Sequence, residues 1–230
     1  MTCARDWRAK MSRVCVNGVA AQRLSQRLRS VAVVLLFGSE CVVCGVAANG
    51  ICGTCVDRLE PPVVPPLLAI DDAVVLCSYS GIGAELVTAV KYHNKRLALS
   101  PLCDALAGGL SSEFDAIVAV PADPSRRRER GFHVPELIAK RLSRRIEVPV
   151  VEPLTRADSG SQQGRSREER AAVEFRASGR VPERVLLVDD VVTTGATAVA
   201  CALTLGLAGA RHISFVALAA TPPPMPVAVS

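Results

Sequence analysis

Beyond residue 70 the chain alternates between short β-branched apolar runs and stretches whose apolar residues recur at helical spacing. Residues 73–79 form a Val-rich run, residues 82–92 and 97–110 carry a helical period, and residues 115–121 (DAIVAVP) are a short apolar run stopped by proline. Residues 134–145 gather Val134, Leu137, Ile138 and Leu142 on one helical face. Residues 184–189 form an apolar strand bounded by charge, 196–207 the helix behind it, and 212–219 a last strand. Strand, helix, strand in that order predicts parallel pairing through right-handed crossovers. The predicted class is α/β, an open parallel sheet flanked by helices.

The same pattern divides the chain. Residues 1–37 are a basic segment ending in a short amphipathic helix at 24–37, where Leu24, Leu28, Val31, Leu35 and Leu36 follow helical spacing. Residues 38–60 hold a cysteine module. Residues 61–70 open with Pro61-Pro62-Val63-Val64-Pro65-Pro66, which continues neither a helix nor a central strand and predicts a semi-rigid linker. Residues 71–220 carry the alternating domain, and 221–230 form a proline-rich flexible tail. Within the domain, residues 156–176 have no apolar period and are rich in Ser, Gly, Gln and Arg, which predicts a mobile loop over a binding site.

Composition sharpens the class. Half of the 230 residues are apolar but only 3% are aromatic, so the core is built from Val, Leu and Ala, as buried parallel strands require. The net charge is a modest +5, and its placement matters more than its sum. One basic cluster is N-terminal; a denser one runs Arg126-Arg127-Arg128-Glu129-Arg130 and suits a phosphorylated ligand or nucleic acid. The longest apolar run near the start, residues 31–37, is too short to span a membrane, so no membrane insertion is expected. Nine cysteines, an odd count with four in one tight group, argue against a full disulfide framework and for a reducing, cytoplasmic setting.

Cys41-x-x-Cys44, seven residues, then Cys52-x-x-Cys55 gives two short hooks, with Gly45 and Gly53 placed to let each turn tightly. Four thiolates at this spacing suit tetrahedral Zn2+ in a structural role, since four protein ligands leave no open position for catalysis. A redox pair, disulfides or an iron–sulfur cluster are the competing readings. Cys77, Cys103 and Cys201 lie in apolar elements and read as small core residues.

The most informative stretch is Val185-Leu186-Leu187-Val188-Asp189-Asp190-Val191-Val192-Thr193-Thr194-Gly195-Ala196-Thr197. Ligands of open parallel sheets bind beyond the carboxyl ends of the strands. Two adjacent carboxylates there are costly to bury without donors such as ribose hydroxyls or a magnesium ion. Thr193, Thr194, Gly195, Ala196 and Thr197 then supply hydroxyls, a flexible glycine and the N–H groups of a starting helix, a concave site for a phosphate. The alternative is a capped turn with no ligand. Neither Gly-x-x-x-x-Gly-Lys-Ser/Thr nor Gly-x-Gly-x-x-Gly occurs, so nucleoside triphosphate hydrolysis and dinucleotide binding are not indicated.

At these residues the sequence resembles the type I phosphoribosyltransferases, whose signature is an apolar strand, two acidic residues and a Thr/Gly-rich loop. The resemblance implies a type I phosphoribosyltransferase-like sheet, with Asp189 and Asp190 on the ribose hydroxyls of phosphoribosyl pyrophosphate or a related ribose phosphate. It implies that Thr193 to Thr197 hold the 5-phosphate, with Val191 beside them as a substrate-binding residue, and that Mg2+ travels on the pyrophosphate. Val120, Pro121, Ala122 and Asp123 match the place of the family's pyrophosphate loop, with Arg126, Arg127, Arg128 and Arg130 as phosphate-neutralising candidates.

Together with Lys91-Tyr92, Arg128-Glu129-Arg130-Gly131-Phe132 and the polar loop, the cysteine hooks make the chain resemble the ComF/GntX family. That resemblance implies a zinc ribbon joined to a phosphoribosyltransferase-type domain that transfers the phosphoribosyl group to a nitrogen acceptor. Its alternative implication is a competence-type accessory protein binding single-stranded DNA or the DNA-uptake machinery. Two departures stand out: Gly131-Phe132-His133-Val134 replaces the family's usual Gly-Phe-Asn-Gln, and Ala172 stands where an asparagine is usual. His133 is expected at an exposed helix start, with a polar ligand contact as the alternative.

Overall fold

The computed structural model describes residues 40–92, 98–111, 113–123, 128, 131–156 and 175–222. The helix expected at 24–37 and the tail from 223 lie outside them. After a one-turn helix α1 (Gly53–Asp57) come β1 (Asp72–Ser78), α2 (Gly81–Tyr92), α3 (Leu99–Gly109), β2 (Ala116–Ala119) and α4 (Val134–Ile146). They are followed by β3 (Leu154–Arg156), β4 (Phe175–Ala177), β5 (Arg184–Val188), β6 (Val191–Val192), α5 (Ala196–Leu207) and β7 (His212–Ala220).

The main sheet runs β1-β7-β5-β2, parallel throughout, with β6 continuing alongside β7. Beyond β2, residues 149–151 extend the sheet: Ile117 N–H donates to Pro149 O at 2.8 Å and Val151 N–H to Ile117 O at 2.9 Å. β7 sits between β1 and β5 and is buried from Ile213 to Ala220, as a strand covered on both faces must be.

The period of two decides which side chains face which layer. Leu186, Val188, Val216 and Leu218 pack with Leu86, Val90, Leu102, Ile138 and Leu142, so α2, α3 and α4 cover one face. Val185, Leu187, Phe215 and Ala217 pack with Ala198, Cys201, Ala202 and Leu205 of α5 on the other. The α/β class and the parallel sheet flanked by helices are as the pattern predicts.

Three features go beyond the expectation. The ends of the polar loop pair as a short antiparallel stem, Leu154 opposite Ala177 and Arg156 opposite Phe175; residues 157–174 between them lie outside the described residues. The proline-rich stretch does not stand away from the domain, because Val64, Leu67 and Ile70 pack against the second apolar cluster. The cysteine module is not separate either: Val56 and Leu59 belong to the same cluster as α2, α3 and α4. Gly50, at φ +85°, approaches Ala98 so closely that a Cβ would sit 2.6 Å from its Cα.

Candidate functional site

The chain leaves β2 through α4 toward the edge at 149–151, and leaves β5 through α5 on the opposite face toward β7. Between β2 and β5 the direction of winding therefore reverses, and the carboxyl ends of these two strands diverge into a crevice. A cleft of about 490 Å³ opens there, within the range of small-molecule sites.

Both strand ends contribute to it. Val120, Pro121, Ala122 and Asp123 follow β2; Asp189, Asp190, Val191, Thr193 and Thr197 follow β5. Thr194, Gly195 and Ala196 form the turn into α5 and do not line the cleft. Thr194 Oγ1 instead accepts from Ala196 N–H at 3.3 Å, an internal cap for the turn. Gly195 takes φ +80° at the N-cap of α5, a backbone conformation that favours glycine, and a Cβ there would also force the Leu67 side chain to shift. Arg126 and Arg130 lie outside the described residues, and Arg128 is exposed.

The backbone fixes the two carboxylates. Asp189 N–H donates to Val216 O at 3.0 Å, Asp190 O accepts from Leu218 N–H at 3.1 Å, and Asp190 N–H donates to Asp189 Oδ1 at 2.7 Å. β7 thus holds the acidic pair from one side while both side chains, half-buried, face the cleft. Beneath them, burial pushes the Cys201 thiol up, and the charge of Asp189 adds to the shift, which keeps this core cysteine neutral.

Several cleft residues come from segments far away in sequence. Lys91, in the last turn of α2, places Nζ 3.1 Å from Asp190 Oδ2, with both side chains largely withdrawn from water at 13% and 14% exposure. Arg156, at the end of β3, lies 3.6 Å from Asp123 Oδ2 and so ties the stem of the polar loop to the loop after β2. Tyr79, Phe132 and Thr221 complete the wall. The sequence marks Lys91 only through the Lys91-Tyr92 motif of the resemblance, and carries no signal that would pair it with Asp190.

His133 departs from expectation. It is the N-cap of α4 but makes no capping bond with its side chain, and it is 16% exposed and lines the cleft rather than standing at an exposed helix start. The reason is the burial of its neighbours: Val134 is 1% exposed and Pro135 is also buried, which draws the start of α4 inward.

The second chemical centre is the cysteine module. Cys41, Cys44, Cys52 and Cys55 bring their Sγ atoms within 4.8 Å of one another, with Cys44 and Cys52 at 3.6 Å. Tetrahedral zinc with Zn–S near 2.3 Å requires S···S separations of about 3.8 Å, so the donor set fits that ion. Cys41 N–H donates to Val46 O and Gly45 N–H to Cys41 O, closing the first hook; Val56 N–H donates to Cys52 O, starting α1 from the second. Burial opposes ionisation of Cys41, yet the backbone amides of Cys44, Cys52 and Val43 outweigh it and bring its thiol down to about 6. Burial and the neighbouring thiols push Cys55 up. The four thiols are thus compatible with a structural zinc ion, which would hold them as thiolates.

No protein-family model matches the chain, and no curated protein matches it. Among solved structures, the chain is similar to a purine phosphoribosyltransferase from Pyrococcus horikoshii Ot3, with 20% identity, 66% of this chain and 80% of that chain covered, and a TM-score of 0.35. Among the described residues, no helix is long and apolar enough to cross a membrane.

Proposed function

We propose that this chain binds phosphoribosyl pyrophosphate with Mg2+ and transfers the phosphoribosyl group to a nitrogen acceptor, releasing pyrophosphate. The observation that carries the reading is the meeting, in one cleft at the reversal of the sheet, of the Asp189–Asp190 pair, Thr193 and Thr197, and the loop from Val120 to Asp123. Under this reading Asp189 and Asp190 accept from the ribose hydroxyls. Thr193 and Thr197, with the first amides of α5, hold the 5-phosphate. The loop after β2 faces the pyrophosphate.

The charges in the cleft support a metal travelling with the ligand. Asp123, Asp189 and Asp190 stand against Lys91 and Arg156, so the described wall is short of positive charge for a polyanion. Mg2+ bound to the pyrophosphate supplies neutralisation of the leaving group, and Arg126 and Arg130 are the further cations proposed for it. The carboxylates near the ribose favour the positive charge that develops on the sugar as the bond to pyrophosphate breaks. The four-cysteine module, holding zinc, is structural. The single-stranded DNA alternative draws on the basic clusters, and no feature of the cleft favours it.

Thermal unfolding with ligand tests the reading. Phosphoribosyl pyrophosphate at about a hundredfold excess over Kd stabilises by about 2.7 kcal/mol, and does so only with magnesium present. Asp189→Asn/Asp190→Asn loses that shift. A shift that survives the double substitution, or none in the wild type, removes the proposal.

A further inference from the structure

The ring of His133 lines the cleft, is held at the start of α4 by the burial of Val134, and is not used to cap the helix. Its Nδ1 lies 3.4 Å from Oε1 of Glu136, one turn along the same helix. That separation is too long for a well-formed hydrogen bond, but a carboxylate so near favours the tautomer with its proton on Nδ1. Nε2 then carries the lone pair. With Glu136 the charged neighbour of Nδ1, Nε2 is the nitrogen left to take a proton from a ligand in the cleft.

We propose that His133 is the proton acceptor for the nitrogen nucleophile, with Glu136 as its positioning residue, a role that rests on the phosphoribosyl-transfer reading above. Nε2 takes a proton from the protonated nitrogen and so frees its lone pair, which then forms the bond to the anomeric carbon as the bond to the pyrophosphate oxygen breaks. Pyrophosphate departs with the electron pair of the broken bond, and the ring later returns its proton to water. The acidic pair is less suited to the task, because Asp190 is held by Lys91 and Asp189 accepts from the Asp190 amide. The titratable groups sharing the cleft with His133 are Asp123, Arg156, Lys91, Asp189, Asp190 and Tyr79.

Ammonium chloride is the probe, because its nitrogen needs a base below the ammonium pKa and none above it. Pyrophosphate release from magnesium phosphoribosyl pyrophosphate is followed for wild type and His133→Asn at about pH 7 and about pH 9.5, with the melting temperature as the folding control. The expected result is a loss on the order of 100-fold for His133→Asn at the lower pH, shrinking to about 10-fold or less at the higher, with the ligand still raising the melting temperature of both proteins. Equal rates at the lower pH, or a defect of the same size at both, overturn the role of His133 while leaving the transfer reading intact. A wild type that is neither stabilised by the ligand nor able to release pyrophosphate overturns the transfer reading, and this role with it.

Discussion

Asp190 can stand beside Asp189 in a half-buried strand end because Lys91 reaches it from α2 with a 3.1 Å ion pair. Removing the ammonium leaves a desolvated carboxylate next to a second one, so Lys91→Met destabilises the protein by about 1–3 kcal/mol. Asp190→Asn removes the repulsion and the need for a counter-ion together. In the double variant Lys91→Met/Asp190→Asn the loss is therefore smaller than the sum of the two single losses, and urea titration of all four proteins measures the difference. Strict additivity would show that the pair contributes nothing. The same residues show what could be read in advance. Asp189, Asp190 and the Thr–Gly turn were legible because a strand end, two carboxylates and a helix start are contiguous in the chain. The place of Lys91 and Arg156 in the cleft was not legible, and that of His133 only as an alternative, because each enters it through the packing of a distant element.

At the level of elements, register is held where β2 and β5 begin. Arg184 N–H donates to Asp115 Oδ2 at 2.9 Å, Asp115 N–H donates to Arg184 O at 2.8 Å, and the guanidinium reaches Asp115 Oδ1 at 3.0 Å. These bonds hold the Asp115 carboxyl below its ordinary range, with the side-chain bond from Arg184 as the largest cause. A depressed folded pKa means that the stabilisation is fully present above the unfolded value, near 3.9, and is lost as pH falls through the folded value. Asp104 acts in the opposite sense: desolvation raises its pKa against the nearby Arg145, so its neutral form is favoured in the folded state. Asp115→Asn is expected to flatten the fall in urea midpoint between about pH 5 and pH 2.5, whereas an unchanged profile would assign acid sensitivity elsewhere. The β3–β4 stem at the foot of the polar loop escaped the sequence pattern for a simple reason. Three-residue strands are too short to show a period.

Across the whole molecule, the cysteine module and the α/β domain share one apolar cluster. Val56 and Leu59, 8% and 1% exposed, pack with the residues of α2, α3 and α4, and Gly50 lies against Ala98 at the entry to α3. On the other face, Leu67 rests on Gly195 at the turn that begins α5. A short segment with four thiols has too little apolar surface to hold its own shape without a metal. With zinc in the site, as proposed, its loss would therefore expose Val56 and Leu59 and open the side of the main core they cover. Chelation, or Cys52→Ser, should lower the single calorimetric transition of the whole domain rather than remove a separate small one, by about 2–4 °C for each kcal/mol lost. Thiol labelling followed alongside should show Cys41 and Cys55, both buried, becoming reactive below that transition once the metal is gone. An unshifted main transition after complete metal removal would mean that the packing at Val56 and Leu59 persists without the ion. The zinc would then stabilise only its own hooks, and the shared cluster would owe its stability to the sheet and helices alone.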